Sequence, residues 1–237
     1  MNMLAVDTSG AVAGLAVFRE GRLVYETYLD HKMTHSQALM PMIEQGLEYA
    51  KMPLQEIAIF ACTVGPGSFT GVRIGVSTVK ALAYAFGKSV LGVNTLDTLA
   101  YNVVTHKGYI CAVMDARCDQ VYTALYVSDG KKLSSVLSYQ ALSVKECMEA
   151  WPENCEILMV GDGAQAYREE WERKSGATVA FAPDHLIRQR ASAAGACALA
   201  MLAEGIQAAD PFALEPFYLR LPQAEREYRR RVKEQLG

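Results

Sequence analysis

Two runs in the 237-residue chain place chemically useful residue types at close spacing. The first is Asp7-Thr8-Ser9-Gly10, which follows an apolar stretch and so stands at the end of a strand. Backbone amides in such a turn, with hydroxyls beside them, make an anion site. The same residues equally suit a plain turn whose Asp and Ser side chains cap the strand. The second is Gly65-Pro66-Gly67-Ser68-Phe69-Thr70-Gly71-Val72-Arg73-Ile74-Gly75. Glycines and a proline build a turn from strand to helix, and Ser68 is a natural N-cap. An anion at the helix N-terminus is one use of such a loop. It is not a P-loop, because no Gly-Lys-Ser/Thr follows.

Glycine inside a helix costs about 1 kcal/mol against alanine. Gly71 and Gly75, with Thr78, therefore mark close approach of another backbone. That backbone is either one of the chain's own strands or a helix of a partner. Phe69, Val72, Val76, Val79, Ala83 and Phe86 recur at helical spacing and form a separate core stripe. His31 and His35 have the HxxxH spacing of zinc ligands on one helix. Thr34 is the expected cap, however, so His31 precedes the helix, and no third ligand stands out. These histidines read as surface or capping residues, and no metal is expected. No Gly-x-Ser-x-Gly elbow and no Cys–His pairing is evident.

The elements that position these runs repeat in order. Residues 3–8 read as a buried strand. Residues 12–18 and 22–29 form a hairpin around Glu20-Gly21. Thr34 and Gln37 make a capping box for a helix whose apolar side is Leu39, Met40, Ile43, Leu47 and Ala50. Pro41 is expected to bend it. A strand at 57–63, a helix at 69–86, a strand at 90–93 and a short helix at 96–103 follow. The second half repeats this with strands at 109–114, 120–127 and 133–139, a helix at 144–150, a strand at 157–160, a helix at 164–174, a strand at 178–181 and a helix at 192–204. Two mixed sheets with crossover helices follow from that order. The expected division is a first lobe over 1–105, a smaller second lobe over 106–210 and an irregular tail over 211–237.

Composition excludes several classes. The chain is 51% apolar and 21% charged, which excludes intrinsic disorder. A net charge of −3 excludes a generally basic nucleic-acid coat. The longest apolar run, 191–203, is too short to span a membrane. No basic segment precedes the first apolar stretch, and six cysteines form no CxxC pair, so a cytoplasmic protein with free thiols is expected. After Leu221, five cations against three carboxylates read as a solvated helix or as a contact for RNA phosphate.

A duplicated unit of this order resembles the two-lobed actin-like α/β fold (ribonuclease H-like), an analogy that by itself assigns no activity. In that fold the loop after the first strand approaches phosphate and metal, which matches Asp7, Thr8 and Ser9. More specifically, Val6-Asp7-Thr8-Ser9, His35-Ser36 with Leu39-Met40-Pro41, the eleven residues from Gly65, Asp115-Ala116-Arg117, Tyr122, Gly161-Asp162-Gly163-Ala164 and Tyr218-Leu219-Arg220 together resemble the TsaB (YeaZ) family over nearly the whole chain.

The resemblance implies a bacterial role in making threonylcarbamoyladenosine beside the anticodon of tRNAs that read codons beginning with A. It implies a scaffold that binds its catalytic paralogue TsaD, with the ATPase TsaE joining a ternary complex and TsaC supplying threonylcarbamoyl-adenylate. It also implies homodimers through first-lobe helices. Ser36, Leu39, Met40, Ile43, Gly71, Arg73, Ile74, Gly75 and Thr78 are then the expected partner interface. Asp7, Thr8 and Ser9 are a vestigial nucleotide loop, with ATP or ADP at the junction with TsaD the only cofactor to consider. TsaD carries a Val-Asn-His-Met-Glu-Gly-His run with two metal-binding histidines. Here Thr95 and Leu99 stand at those positions, and neither suits a transition metal. An autonomous ATPase or kinase using Asp7 and Asp115, and a metallopeptidase ("glycoprotease"), are the rival readings.

Overall fold

The computed structural model describes residues 1–30, 34–173 and 177–220. His31 and the basic stretch after Leu221 lie outside them.

The first sheet contains β1 (Met3–Asp7), β2 (Ala13–Arg19), β3 (Arg22–Leu29), β4 (Ile59–Gly65) and β5 (Ser89–Asn94), in spatial order β3-β2-β1-β4-β5. The second contains β6 (Lys107–Asp115), β7 (Gln120–Asp129), β8 (Leu133–Ser143), β9 (Cys155–Val160) and β10 (Ala177–Phe181), in order β10-β9-β6-β7-β8. Each sheet opens with two antiparallel pairings and continues with two parallel ones. The second is therefore the first repeated, as the element order predicts.

The helices are α1 (His35–Ala50), α2 (Phe69–Ala85), α3 (Thr95–Tyr101), α4 (Val144–Glu149), α5 (Asp162–Ala166), α6 (Arg168–Arg173) and α7 (Ala191–Ala203). Gln37 accepts from the Thr34 backbone N–H at 3.3 Å, and Ser68 Oγ accepts from Gly71 N–H at 3.2 Å. Both expected caps are thus present. α1 runs through Pro41, which sits on its exposed side. The single helix expected over 164–174 is two, parted at Tyr167.

β1 shows why the first lobe needs helices on both faces. Leu4 and Val6 join a core with α1 and α2. Met3 and Ala5, on the opposite face, join a core with Ala191, Cys197 and Ala198 of α7. Side chains alternate across a strand, so a fully buried strand needs cover on each side. Each large apolar side chain buried this way contributes about 1.5–3 kcal/mol.

The lobes exchange helices. α7, from the second half of the chain, covers the first sheet. α3, from the first half, places Leu96, Leu99 and Ala100 in the second lobe's core with Ile110 and Ala112. The division at 105/106 follows the sheets but not the cores. Residues after α7 also return to the first lobe. Ala209 exchanges backbone bonds with Val90 on the β5 edge at 2.9 and 2.8 Å. Lys80 donates to Leu214 O at 3.0 Å, and Phe217 N–H donates to Val64 O at 2.7 Å. Residues 206–220 are irregular but form a strap over β5, α2 and β4, so 211–220 is no separate tail.

Candidate partner groove and interlobe cleft

The two chemically suggestive runs interlock. The Thr8 hydroxyl donates to Gly71 O at 2.8 Å, and Ser68 N–H donates to Ser9 O at 2.7 Å. A Cβ at Gly71 would lie 2.1 Å from the Thr8 carbonyl oxygen, and one at Gly75 would lie 2.4 Å from Thr8 Oγ1. What these helix glycines admit is therefore the chain's own first loop, its backbone at Gly71 and the Thr8 side chain at Gly75. Gly71 and Gly75 do not face a partner, which corrects their expected place in the interface. Gly67, at φ 156°, lets the preceding turn meet Ser9 in the same way.

Asp7 also turns inward. It is 1% exposed, and its Oδ1 accepts from Ser9 N–H at 2.9 Å, Ser9 Oγ at 2.6 Å and Thr63 Oγ1 at 3.0 Å. Burial pushes its carboxyl above the ordinary value, against the pull of those bonds. Its Oδ2 is buried without a hydrogen-bond partner. Of the expected nucleotide loop only Ser9 reaches the interlobe cleft, its N–H and hydroxyl bound to Asp7 and its carbonyl to Ser68 N–H. The turn behaves as the strand-capping alternative describes. Asp7 and Asp115 therefore do not face a common cleft as the kinase reading expected.

The cleft itself has a volume of about 560 Å³. The N-terminus of α2, the loop after β6 and the strap from Phe217 to Arg220 line it. Asp115 Oδ1 accepts from Arg117 N–H at 2.7 Å and Tyr167 OH at 3.0 Å, fixing the turn through Arg117, Cys118 and Asp119. Asp162 accepts from Asp115 N–H at 3.1 Å, and burial pushes its carboxyl up. Gln189 fills the space beneath Gly10, its amide 2.5 Å from where a Cβ would stand.

Between α1 and α2 lies a groove of about 530 Å³. Ser36, Leu39, Met40, Arg73, Ile74 and Thr78, all named above for a partner interface, line it. Met40 is 42% exposed and supplies the apolar wall, while Leu39 closes the floor at 1%. Ile43 is instead a core residue of the first lobe, because it sits one helical turn deeper on the buried face of α1. Phe69 and Thr70 line both groove and cleft. The Arg73 guanidinium lies 4.5 Å over the Phe69 ring, and Tyr218 packs on it at 4.9 Å. Sequence periodicity put Phe69 in the core. As the first helical residue after its cap, it is half-buried and lies outside the first lobe's core.

His35 Nε2 pairs with Gly10 O at 2.9 Å. Its HxxxH partner lies outside the described residues. Among the described residues no three His, Cys, Asp or Glu side chains converge as a metal set. Thr95 and Leu99 are fully buried, and Leu99 belongs to the second lobe's core.

Two sheets of repeated topology, enclosing a cleft and exchanging helices, define the two-lobed actin-like class. The solved structure of the ethanolamine utilization protein EutJ from Carboxydothermus hydrogenoformans shares this fold, with a TM-score of 0.50 and 12% identity over 83% of this chain and 89% of that one. YeaZ from Pseudomonas aeruginosa is far more similar, with a TM-score of 0.79 and 28% identity over 92% of this chain and 99% of that one. The profile of the family described as TsaD, tRNA N6-adenosine threonylcarbamoyltransferase, matches residues 30–228. The tRNA threonylcarbamoyladenosine biosynthesis protein TsaB of Bacillus subtilis is 34% identical over 95% of this chain and 96% of its own length, and that of Escherichia coli is 32% identical over 93% and 95%. The chain belongs to the TsaB family. Among the described residues no helix is long and apolar enough to cross a membrane.

Proposed function

We propose that this chain is a noncatalytic partner subunit in the biosynthesis of tRNA threonylcarbamoyladenosine, and that it binds the catalytic paralogue TsaD through the α1–α2 groove. The observation that carries this reading is the groove itself. Two neighbouring helices present Met40, Ile74 and Thr78 to solvent around a closed apolar floor. A paralogue with equivalent helices can pack there about a pseudo-two-fold axis. A homodimer uses the same surface and competes with TsaD. TsaE joins the pair, TsaC supplies the activated intermediate, and tRNA is reached through the complex in the cytoplasm. ATP or ADP, where one is bound, lodges at the junction with TsaD.

A catalytic role for the lone chain has little support. Leu99 packs in a core where the paralogue holds a metal ligand, and Asp7 is buried away from the cleft, its Oδ1 held by Ser9 and Thr63. The test is reconstitution. The chain given threonylcarbamoyl-adenylate and tRNA should form no product, and adding TsaD should restore modification. Product from the chain alone, ATP turnover by it, or one equivalent of zinc retained after dialysis would overturn the reading in favour of an autonomous enzyme.

A further inference from the structure

A third cavity, of about 620 Å³, lies between the lobes where the tip of the β7–β8 hairpin meets α3 and α7. Its size falls within the range that holds a small organic ligand, and lobe junctions are frequent sites for one. Tyr101 supplies aromatic surface, with Tyr126 buried behind the wall, Cys197 and Met201 form a soft apolar wall, and Lys131 and Lys132 stand at the exposed rim.

The charges can be accounted for group by group. Both oxygens of Asp97 are used, accepting from Tyr126 OH at 2.6 Å and Tyr139 OH at 2.7 Å. Glu204 holds Lys132 at 2.6 Å. The backbone N–H groups of Lys131 and Lys132 both go to Asp129 Oδ1 at 2.8 Å. No carboxylate of the cavity is left to receive a cation. Lys131, by contrast, has no ion-pair partner among the described residues. Burial also pushes the Cys197 thiol up to about 12, so that wall stays uncharged.

We propose that this cavity binds a small monoanionic aromatic molecule, its ring body against Met201 and Tyr101 and its carboxylate or sulfonate at Lys131. An aromatic face and a thioether suit a flat ring, and Lys131, which makes no ion pair although Asp129 lies within range of its charge, can hold one negative group.

The probe is 1-anilinonaphthalene-8-sulfonate, followed by its fluorescence. The wild-type chain should show one saturable site. Lys131→Glu should weaken it about tenfold or more, Lys131→Arg should retain it, and Ala200→Trp, which fills the cavity, should abolish it with the circular dichroism unchanged. Met40→Asp, in the separate α1–α2 groove, should leave the affinity as it was. No saturable binding, or binding lost in Met40→Asp and kept in Lys131→Glu, would overturn the proposal. Should Ala200→Trp fail to fold, the two Lys131 variants decide it.

Discussion

Thr8 hydrogen-bonds Gly71 through its hydroxyl at 2.8 Å, and the α2 surface beside that bond carries no side chain. The first loop of the lobe is thereby seated in the helix that follows the fourth strand. Four glycines in the run from Gly65 to Gly75 serve contacts of this kind or the turn that leads to them.

Gly71→Ala should destabilise more than Gly75→Ala. At 71 the added methyl meets a backbone oxygen at 2.1 Å, which cannot move without shifting the loop. At 75 it meets the Thr8 hydroxyl at 2.4 Å, which can rotate at the expense of its bond to Gly71. Overpacking costs about 1–3 kcal/mol, and alanine's helix propensity returns about 1 kcal/mol. Urea denaturation measures both. Combining Thr8→Ala with Gly75→Ala should recover part of the loss, since the two residues touch. Gly71→Ala at wild-type stability would refute the seating.

Asp7→Asn should gain on the wild type as pH rises. The amide oxygen can keep the three donors from Ser9 and Thr63. Burial raises the Asp7 carboxyl, so its contribution is full below the unfolded value and is lost as pH climbs through the folded one. The stability of the Asp7→Asn variant relative to wild type, measured between pH 4 and pH 7, should therefore increase. A constant difference would mean that Asp7 titrates alike in both states.

Glu26→Gln should show the opposite dependence. Glu26 on β3 accepts from Arg190 Nη2 at 2.6 Å and from Ser192 Oγ at 2.6 Å and Ser192 N–H at 3.2 Å, capping the start of α7. Burial alone would raise this carboxyl, but the Arg190 and Ser192 bonds outweigh it and hold it below the ordinary value. Its contribution is present above the unfolded value and is lost as pH falls through the folded one. The variant should lose about 1–3 kcal/mol at pH 7, and the gap should close only in acid. A gap that persists in acid would assign the loss to packing.

Met40→Asp and Ile74→Asp should separate association from folding. Both side chains border the groove, and Met40 is already 42% exposed. At Met40 a surface change is worth about 0.5 kcal/mol to the fold or less. Ile74 also packs against the first lobe's core, so its variant should lose about 1 kcal/mol or more of stability. A charge placed in a packed interface costs far more. Circular dichroism should be unchanged in Met40→Asp and native in shape in Ile74→Asp, and co-purification with TsaD and self-association by light scattering should fall about tenfold or more in both. Gly75→Glu cannot serve here, since its side chain would be driven into Thr8. Full TsaD binding by both aspartate variants would move the interface elsewhere.

Much of this architecture was legible because strands and helices announce themselves by period. The hairpin after Arg19, the Thr34–Gln37 box and the Ser68 cap depend on local spacing, and all three are found. Direction was harder to read. A glycine has no side chain whose polarity says which way it faces, so Gly71 and Gly75 fitted a partner as well as they fitted Thr8. Asp7 suited an anion site as well as a strand-capping turn, and the bond that helps to settle it inside comes from Thr63, 56 residues away. α7 is apolar nearly all round and offers no polar face to show which sheet it covers. The strap is registered on the first lobe by backbone bonds from Ala209 and Phe217, for which side-chain type carries little signal.

The exchange of α3 and α7 has a consequence for synthesis. As the chain leaves the ribosome, all five strands of the first sheet are complete by Asn94, yet one face of that sheet waits for Ala191–Ala203. Met3, Ala5, Phe18 and Leu91 stay uncovered over about a hundred further residues of translation. A break at the midpoint leaves each fragment with an apolar surface whose cover lies on the other. The two lobes must therefore mature as one cooperative unit, although their sheets look like independent copies.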